Sequence, residues 1–202
     1  MTLANPMRRL NRHRRWPGPG LILVSDPLRL PDPLRAMGQL PPGSGVLLRP
    51  YGQADRDDLG RAIARLARIR RLVLLVAGDW RLAARLGAAG LHLPEGLAAH
   101  GVLAPALGWV RRRRRLLLCA AHSPRALGRA AAIKADAGLL SPVFATLSHP
   151  AATTIGAVRF GLWARRAGLP VLALGGINPA TARRLSPGAA SGLAAIRGLA
   201  ES

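Results

Sequence analysis

The sequence predicts an α/β fold: a small, closed (β/α)8 barrel of the TIM type, with eight parallel strands. Three observations predict it. Eight short apolar runs recur along the chain. Segments with helical spacing alternate with them. All of this fits within 202 residues, a length suited to one domain with a sizeable core.

The runs come in order. Leu21 to Val24 is the first, closed by Ser25-Asp26-Pro27. Gly45 to Arg49, Leu72 to Val76 and Gly90 to Leu93 follow, then Leu116 to Ala120, Ala137 to Ser141, Pro170 to Leu174 and Ala189 to Ala194. Each has the length of a strand buried on both faces, which reads as a continuous apolar run. Between them, Asp55 to Ile69 places Leu59, Ile63, Leu66 and Ala67 on one helical face, acids first and Arg last, as the helix dipole favours. Asp79 to Leu86 is a second helical stretch. Ser123-Pro124 and Asn178-Pro179 are helix starts, and Gly156 to Gly168 is an amphipathic helix stopped by Gly168-Leu169-Pro170. Strand and helix alternation implies a parallel sheet with right-handed crossovers. An open doubly wound sheet is the alternative. Eight regular units with no early Gly-rich nucleotide fingerprint favour closure.

Residues 1–19 read as a basic, flexible tail and residues 20–202 as the barrel domain. The tail carries Arg8, Arg9, Arg12, Arg14 and Arg15 with no apolar stretch of signal-peptide type behind it. No run is long enough to span a bilayer. The expected location is the cytoplasm, and no membrane partner is expected. Cys119 is the single cysteine and lies in the run Leu116 to Ala120, so it reads as a buried structural thiol.

The net charge is +21 with a pI near 12, and all but Lys134 of the 30 basic residues are Arg. Such charge admits an anionic partner or a drift in composition towards Arg, Ala, Gly and Pro. The Arg residues are spread along the chain, which favours drift. Arg111 to Arg115 falls before the fifth strand, on the barrel face opposite the expected site, and reads as a solvated charge run. A nucleic-acid partner is disfavoured: aromatic residues are only 3%, too few for a stacking platform, and no reading motif is present.

Barrel ligands sit at the C-terminal ends of the strands, with phosphate on the loops after strands seven and eight. Gly175-Gly176 after strand seven lets a phosphate approach the backbone, and the helix start at Asn178 adds a positive dipole end. After strand eight, Gly192 to Gly198 supplies further amides, with Gly192, Ala195 and Arg197 as candidate phosphate residues. His122, at the end of strand five, and His149, in the long loop from Ser141 to Ile155, are the catalytic candidates, since imidazole exchanges protons near neutral pH. A structural role is the alternative for each. Thr146 and Ser148 are candidate hydroxyl donors to the phosphate.

Five blocks in order resemble the thiamine-phosphate synthase/TenI family. Gly87 to Pro94 resembles its "gAdGvHL" block, Ala121-His122-Ser123 its strand-five "S-x-H-S/T", and Ser141 to His149 its "G-P-v-f-p-T-x-T-K". Pro170 to Asn178 is similar to "iPvvAiGGI", and Gly192 to Ile196 to "GvAvi". The resemblance runs from about residue 45 to the end. It implies a role in thiamine biosynthesis. Family synthases join hydroxymethylpyrimidine diphosphate to thiazole phosphate and release pyrophosphate, with Mg²⁺ holding the leaving group. TenI members share the barrel and act on thiazole phosphate in other ways. The implied partners are these phosphorylated ligands and, since family relatives are often oligomers, further copies of the chain in a homo-oligomer.

The sequence departs from the family pattern where the metal would bind. Of the polar residues in the strand-two "Q-L-R-x-K" only Arg49 remains. The "N-D-R" of strand three reads Ala77-Gly78-Asp79, with Asp79 one position late. The "G-Q-x-D" of strand four reads Pro94-Glu95-Gly96-Leu97, with Glu95 out of register. Asp79 and Glu95 are therefore weak candidate ligands, and Mg²⁺ is expected only if synthase activity is retained. Ala120 replaces the strand-five Ser and His149 the strand-six Lys. Pro142 stands where TenI members carry a catalytic His. A non-catalytic protein that binds or senses a phosphorylated ligand is the alternative function.

Overall fold

A computed structural model describes residues 16–49, 56–99, 104–146 and 153–199. Eight parallel strands close into a ring in sequence order: β1 (Leu21–Val24), β2 (Gly45–Leu48), β3 (Val73–Ala77), β4 (Gly90–Leu93), β5 (Leu116–Ala121), β6 (Ala137–Leu140), β7 (Val171–Ala173) and β8 (Gly192–Ala195). The ring shuts where Leu21, Ile22 and Leu23 pair with Leu193, Ala194 and Ala195. The described helices are α1 (Pro33–Gly38), α2 (Arg56–Ile69), α3 (Trp80–Arg85), α4 (Glu95–Ala99), α5 (Ala104–Arg112), α6 (Pro124–Ala132), α7 (Ala157–Arg166) and α8 (Pro179–Ala182). The barrel expected from the sequence is the fold observed.

The continuous apolar runs are explained by two cores, one on each side of the strands. Ile22, Val24, Leu47, Leu75, Ala77, Leu118, Leu139, Leu172 and Ala194 fill the barrel interior. Their neighbours Leu23, Val46, Val76, Leu117, Leu140 and Leu193 face the helices. Side chains alternate with period two, so a strand with apolar matter on both sides can spare few polar positions. Trp16, in the stretch read as tail, belongs to the interior core at 8% exposure, and its indole N–H donates to the carbonyl of Pro19 at 2.9 Å. It lies ahead of β1, at the end of the barrel away from the mouth.

Two helix starts carry the caps read from the sequence, at Ser123 and Asn178, and a third cap, at Asp79, was not foreseen. The side chains of Asp79, Ser123 and Asn178 accept backbone N–H groups of α3, α6 and α8. Three helices were not predicted: α1, α4 and α5. β8 begins at Gly192 rather than Ala189, because Gly188 is left-handed (φ 73°) and the Ala189 N–H turns back to the Ser186 carbonyl. Cys119 is fully buried towards the helices, and burial pushes its thiol up to about 12.

The turns that lead from helix to strand carry an unusual feature. Arg71, Arg114 and Lys134 are left-handed, at φ 54°, 48° and 56°, and they enter β3, β5 and β6. The equivalent turn into β4 uses Gly87 at φ 64°. Arg111 to Arg114 are exposed around one of these turns, in keeping with a solvated charge run. Among the described residues, no helix is long and apolar enough to cross a membrane.

Candidate active site at the barrel mouth

Period two carries the inward face of each strand up to the mouth. Continuing β1 past Ile22 and Val24 brings Asp26, and continuing β2 past Leu47 brings Arg49. β4 brings His92, β5 brings His122 and β6 brings Ser141. These side chains ring the C-terminal end of the barrel, where the sequence places the site.

Asp26 is the residue that the sequence reading missed. It is 6% exposed. Its Oδ1 accepts the N–H groups of Leu28 (3.1 Å) and Arg29 (3.0 Å), while Oδ2 faces the guanidiniums of Arg29 (3.5 Å) and Arg49 (3.7 Å). The Arg49 backbone is held in turn by its N–H donating to Ser25 Oγ at 3.0 Å. The signal was in the sequence: Asp26 continues the alternation of Ile22 and Val24, but Ser25-Asp26-Pro27 also reads as a plain turn.

His92 points into the barrel and is 8% exposed, with neither ring nitrogen hydrogen-bonded. Burial, and secondarily the charge of Arg49, lower its pKa to about 4. It is therefore a neutral imidazole at pH 7.

His122 is exposed at the mouth. Its Nδ1 lies 2.8 Å from the Ser141 carbonyl and 3.4 Å from Ser141 Oγ. A carbonyl only accepts, so Nδ1 carries a proton, and in the neutral ring Nε2 is the acceptor. The His122 N–H donates to Glu95 Oε2 at 2.9 Å, and the other Glu95 oxygen accepts from Arg129 at 2.8 Å.

The phosphate candidates separate into two groups. Gly175 (φ 92°) and Gly176 (φ 63°) turn tightly against the β6 loop, where the N–H groups of Val143 and Phe144 donate to Leu174 and Gly175. A Cβ on Gly175 would lie 2.8 Å from Pro142 Cα, and one on Gly176 2.5 Å from the Ala145 carbonyl oxygen. Gly198 stands beside Ile177, so the β7 and β8 loops meet. Among the described residues, the N–H groups of Gly175, Gly176, Ile177, Arg197 and Gly198 donate to no acceptor. The Arg197 Nε donates to the Arg29 carbonyl at 3.2 Å, which ties β8 to the β1 loop. Half-buried Thr146 ends the described part of the β6 loop.

Gly192 is not part of this cluster. It opens β8 at the far end of the strand, where a Cβ would meet the Gly20 carbonyl oxygen at 2.9 Å, so it serves packing. Ala195 ends β8 with its side chain towards the helices. The expected dipole contribution at Asn178 is also reduced, because the Asn178 side chain already takes the N–H groups of Ala180 and Thr181. Ser148 and His149 lie outside the described residues.

Among the described residues, the donor set does not fit Mg²⁺. The Asp79 carboxylate caps α3 by accepting the Leu82 N–H at 2.9 Å. Glu95 is committed to His122 and Arg129. Asp26 already faces two guanidiniums. Among the described residues, no three metal-binding side chains come together. Mg²⁺ favours well-placed carboxylates with room for water, and these three are each engaged elsewhere.

The whole barrel has counterparts among solved structures. A thiamine phosphate pyrophosphorylase from Pyrococcus furiosus is 20% identical, with a TM-score of 0.70 over 88% of this chain and 85% of that one. A thiamine phosphate pyrophosphorylase from Bacteroides thetaiotaomicron is 13% identical, with a TM-score of 0.53 over 89% and 83%. A 3-hexulose-6-phosphate synthase is 11% identical, with a TM-score of 0.58 over 87% of each chain. At these identities the likeness is one of fold. No curated protein matches the sequence. The family model described as thiamine monophosphate synthase matches residues 45–199, from β2 to the turn after β8, and the chain belongs to that family.

Proposed function

We propose that the barrel binds a thiazole phosphate between its β7 and β8 loops. It joins this ligand to hydroxymethylpyrimidine diphosphate, with release of pyrophosphate. The observation that carries the reading is the group of N–H donors at Gly175, Gly176, Ile177, Arg197 and Gly198 that meet no protein acceptor. Backbone donors left without partners at the rim of a barrel suit the several oxygens of a phosphate ester. The two glycines keep that rim open, since a side chain on either would collide with the β6 loop. Arg49 supports a second anionic group across the mouth, and His122 brings an acceptor nitrogen to the space between.

A second reading has its own support. Asp79 and Glu95 are both engaged in holding backbone, which suits a protein that binds the phosphate ester without turnover.

The test is to supply purified protein with both substrates and follow thiamine phosphate, with Gly175→Asp as the control. Product from the wild type and none from the control is the expected result. Tight binding of thiazole phosphate without product, under conditions where an established synthase turns over, would leave the binding role. No binding at all would end both readings.

A further inference from the structure

We propose that the end of the barrel opposite the mouth is a binding face for the phosphate backbone of a nucleic-acid duplex. Arg71, Arg111 to Arg114 and Lys134 form this face. It is separate from the phosphate-ester site and from the reaction proposed there.

Spread through the sequence, these cations are gathered by the fold. Arg71 stands in the turn into β3, Arg111 to Arg114 run from the last residues of α5 into the turn before β5, and Lys134 stands in the turn into β6. Backbone hydrogen bonds fix these turns side by side. The Ala89 N–H donates to the Leu74 carbonyl at 2.8 Å, the Leu116 N–H to Ala89 at 3.0 Å and the Asp136 N–H to Leu117 at 2.8 Å. From β3 to β6 is three strand spacings, roughly 14 Å. The cations are exposed, and among the described residues none of them forms an ion pair. The acids gather at the other end. Asp26, Asp32, Asp57, Asp58, Asp79 and Glu95 all lie in loops that leave strands or at helix starts, towards the mouth. Asp136 is the exception, and its Oδ2 is held by the Leu117 N–H at 2.8 Å.

The helix dipole alone favours acids at helix starts and cations at helix ends. It does not account for where these cations stand. Arg71, Arg114 and Lys134 lie past the last helical residue, on left-handed backbone at φ 54°, 48° and 56°, where the turn into β4 uses Gly87. A cation in the last helical turn would serve the dipole without that conformational cost. Three cations kept on backbone that favours glycine point to an anion that meets these turns. Guanidinium forks match phosphate oxygens in pairs. A duplex presents those oxygens in regular rows and asks for no stacking platform, in keeping with 3% aromatic residues. An anionic bilayer would reward apolar side chains beside the cations. Among the described residues, the exposed Leu28, Leu97 and Val158 lie towards the mouth, Leu162 lies midway along α7, and only Ile69 lies at this end.

Fluorescence anisotropy of a short labelled duplex of random sequence, titrated with the full chain over a range of salt, tests the inference. Affinity is expected to fall steeply with salt and to show no sequence preference. Arg113→Gln/Lys134→Gln is expected to weaken binding at least about tenfold and to reduce the salt slope by about 2. Arg125→Gln/Arg159→Gln removes the same charge from exposed positions at the starts of α6 and α7, towards the mouth. It is expected to shift affinity by no more than about twofold. Unfolding curves check that both double variants keep the fold. Lys134→Gly should weaken binding while raising the unfolding temperature, a pair of signs that damage to the fold does not give. Equal weakening by the two double variants would mean attraction by net charge alone and overturns the inference. Binding of phosphatidylserine vesicles in place of the duplex also overturns it and assigns the face to a membrane. Absence of binding to either overturns it and leaves a solvated charge run.

Discussion

The Glu95 carboxylate accepts the backbone N–H of His122 at 2.9 Å, across 27 positions of sequence. With its other oxygen on Arg129, Glu95 braces the start of α4 against the turn that carries the candidate catalytic histidine. Glu95→Ala leaves that N–H and the Arg129 guanidinium without their acceptor. A loss of about 1–2 kcal/mol in unfolding free energy is expected, read by urea denaturation, with Glu95→Gln closer to the wild type. An unchanged midpoint for Glu95→Ala would show that the brace contributes nothing.

His92 makes stability depend on pH. Its folded pKa is lowered to about 4, against about 6.5 for the exposed group, by burial and then by Arg49. Below pH 6.5 the unfolded chain takes up a proton that the folded chain refuses. The stabilisation is therefore complete above about pH 6.5 and declines as the pH falls towards 4. Between pH 7 and pH 5 the wild type should lose about 2 kcal/mol more than His92→Leu, in which this group no longer titrates. Parallel pH profiles for the two proteins would refute the assignment.

Gly176 has both a conformational and a steric requirement. At φ 63°, with the Ala145 carbonyl oxygen 2.5 Å from any Cβ, Gly176→Ala has to shift the β6 loop or the turn itself. We expect a stability loss of about 1–3 kcal/mol and at least a tenfold loss of phosphate-ester affinity, measured by denaturation and calorimetry. A variant that keeps wild-type affinity would place the ligand elsewhere.

The left-handed cations offer the reverse experiment. Arg71 and Lys134 occupy backbone that glycine adopts without steric cost. Arg71→Gly and Lys134→Gly should each raise stability by about 0.5–1 kcal/mol, and the two should add, since they lie in separate turns. Arg113→Gly, one position before the left-handed Arg114, should give no gain. Thermal unfolding distinguishes the three.

The barrel was legible because strands buried on both faces leave an unmistakable apolar trace. Val46 and Leu47 face opposite cores, so neither can be polar. The shorter helices left weaker traces. α1 is one and a half turns long, too short for periodicity, although Asp32-Pro33 is the same kind of cap and first-turn proline that marked α6 and α8. The candidate site was legible in part. The glycines and His122 were visible because their residue types and strand-end positions suggest a role. Asp26 was hidden because its partners, Arg29 and Arg49, are brought together only when β2 pairs with β1. Gly192 was over-read: a glycine close in sequence to a phosphate loop proved to sit at the other end of its strand.

The two acids at Asp79 and Glu95 also constrain what this sequence can become. Each closes a link to backbone, one at the start of a helix and the other at the turn bearing a histidine. A route from here to metal-dependent chemistry cannot begin by redirecting either carboxylate, because that step alone removes a hydrogen bond that holds the backbone at the barrel mouth. A substitute brace has to arise first, and only then does a ligand become available. Such an order of steps acts as a ratchet: the present arrangement is easier to refine than to reverse.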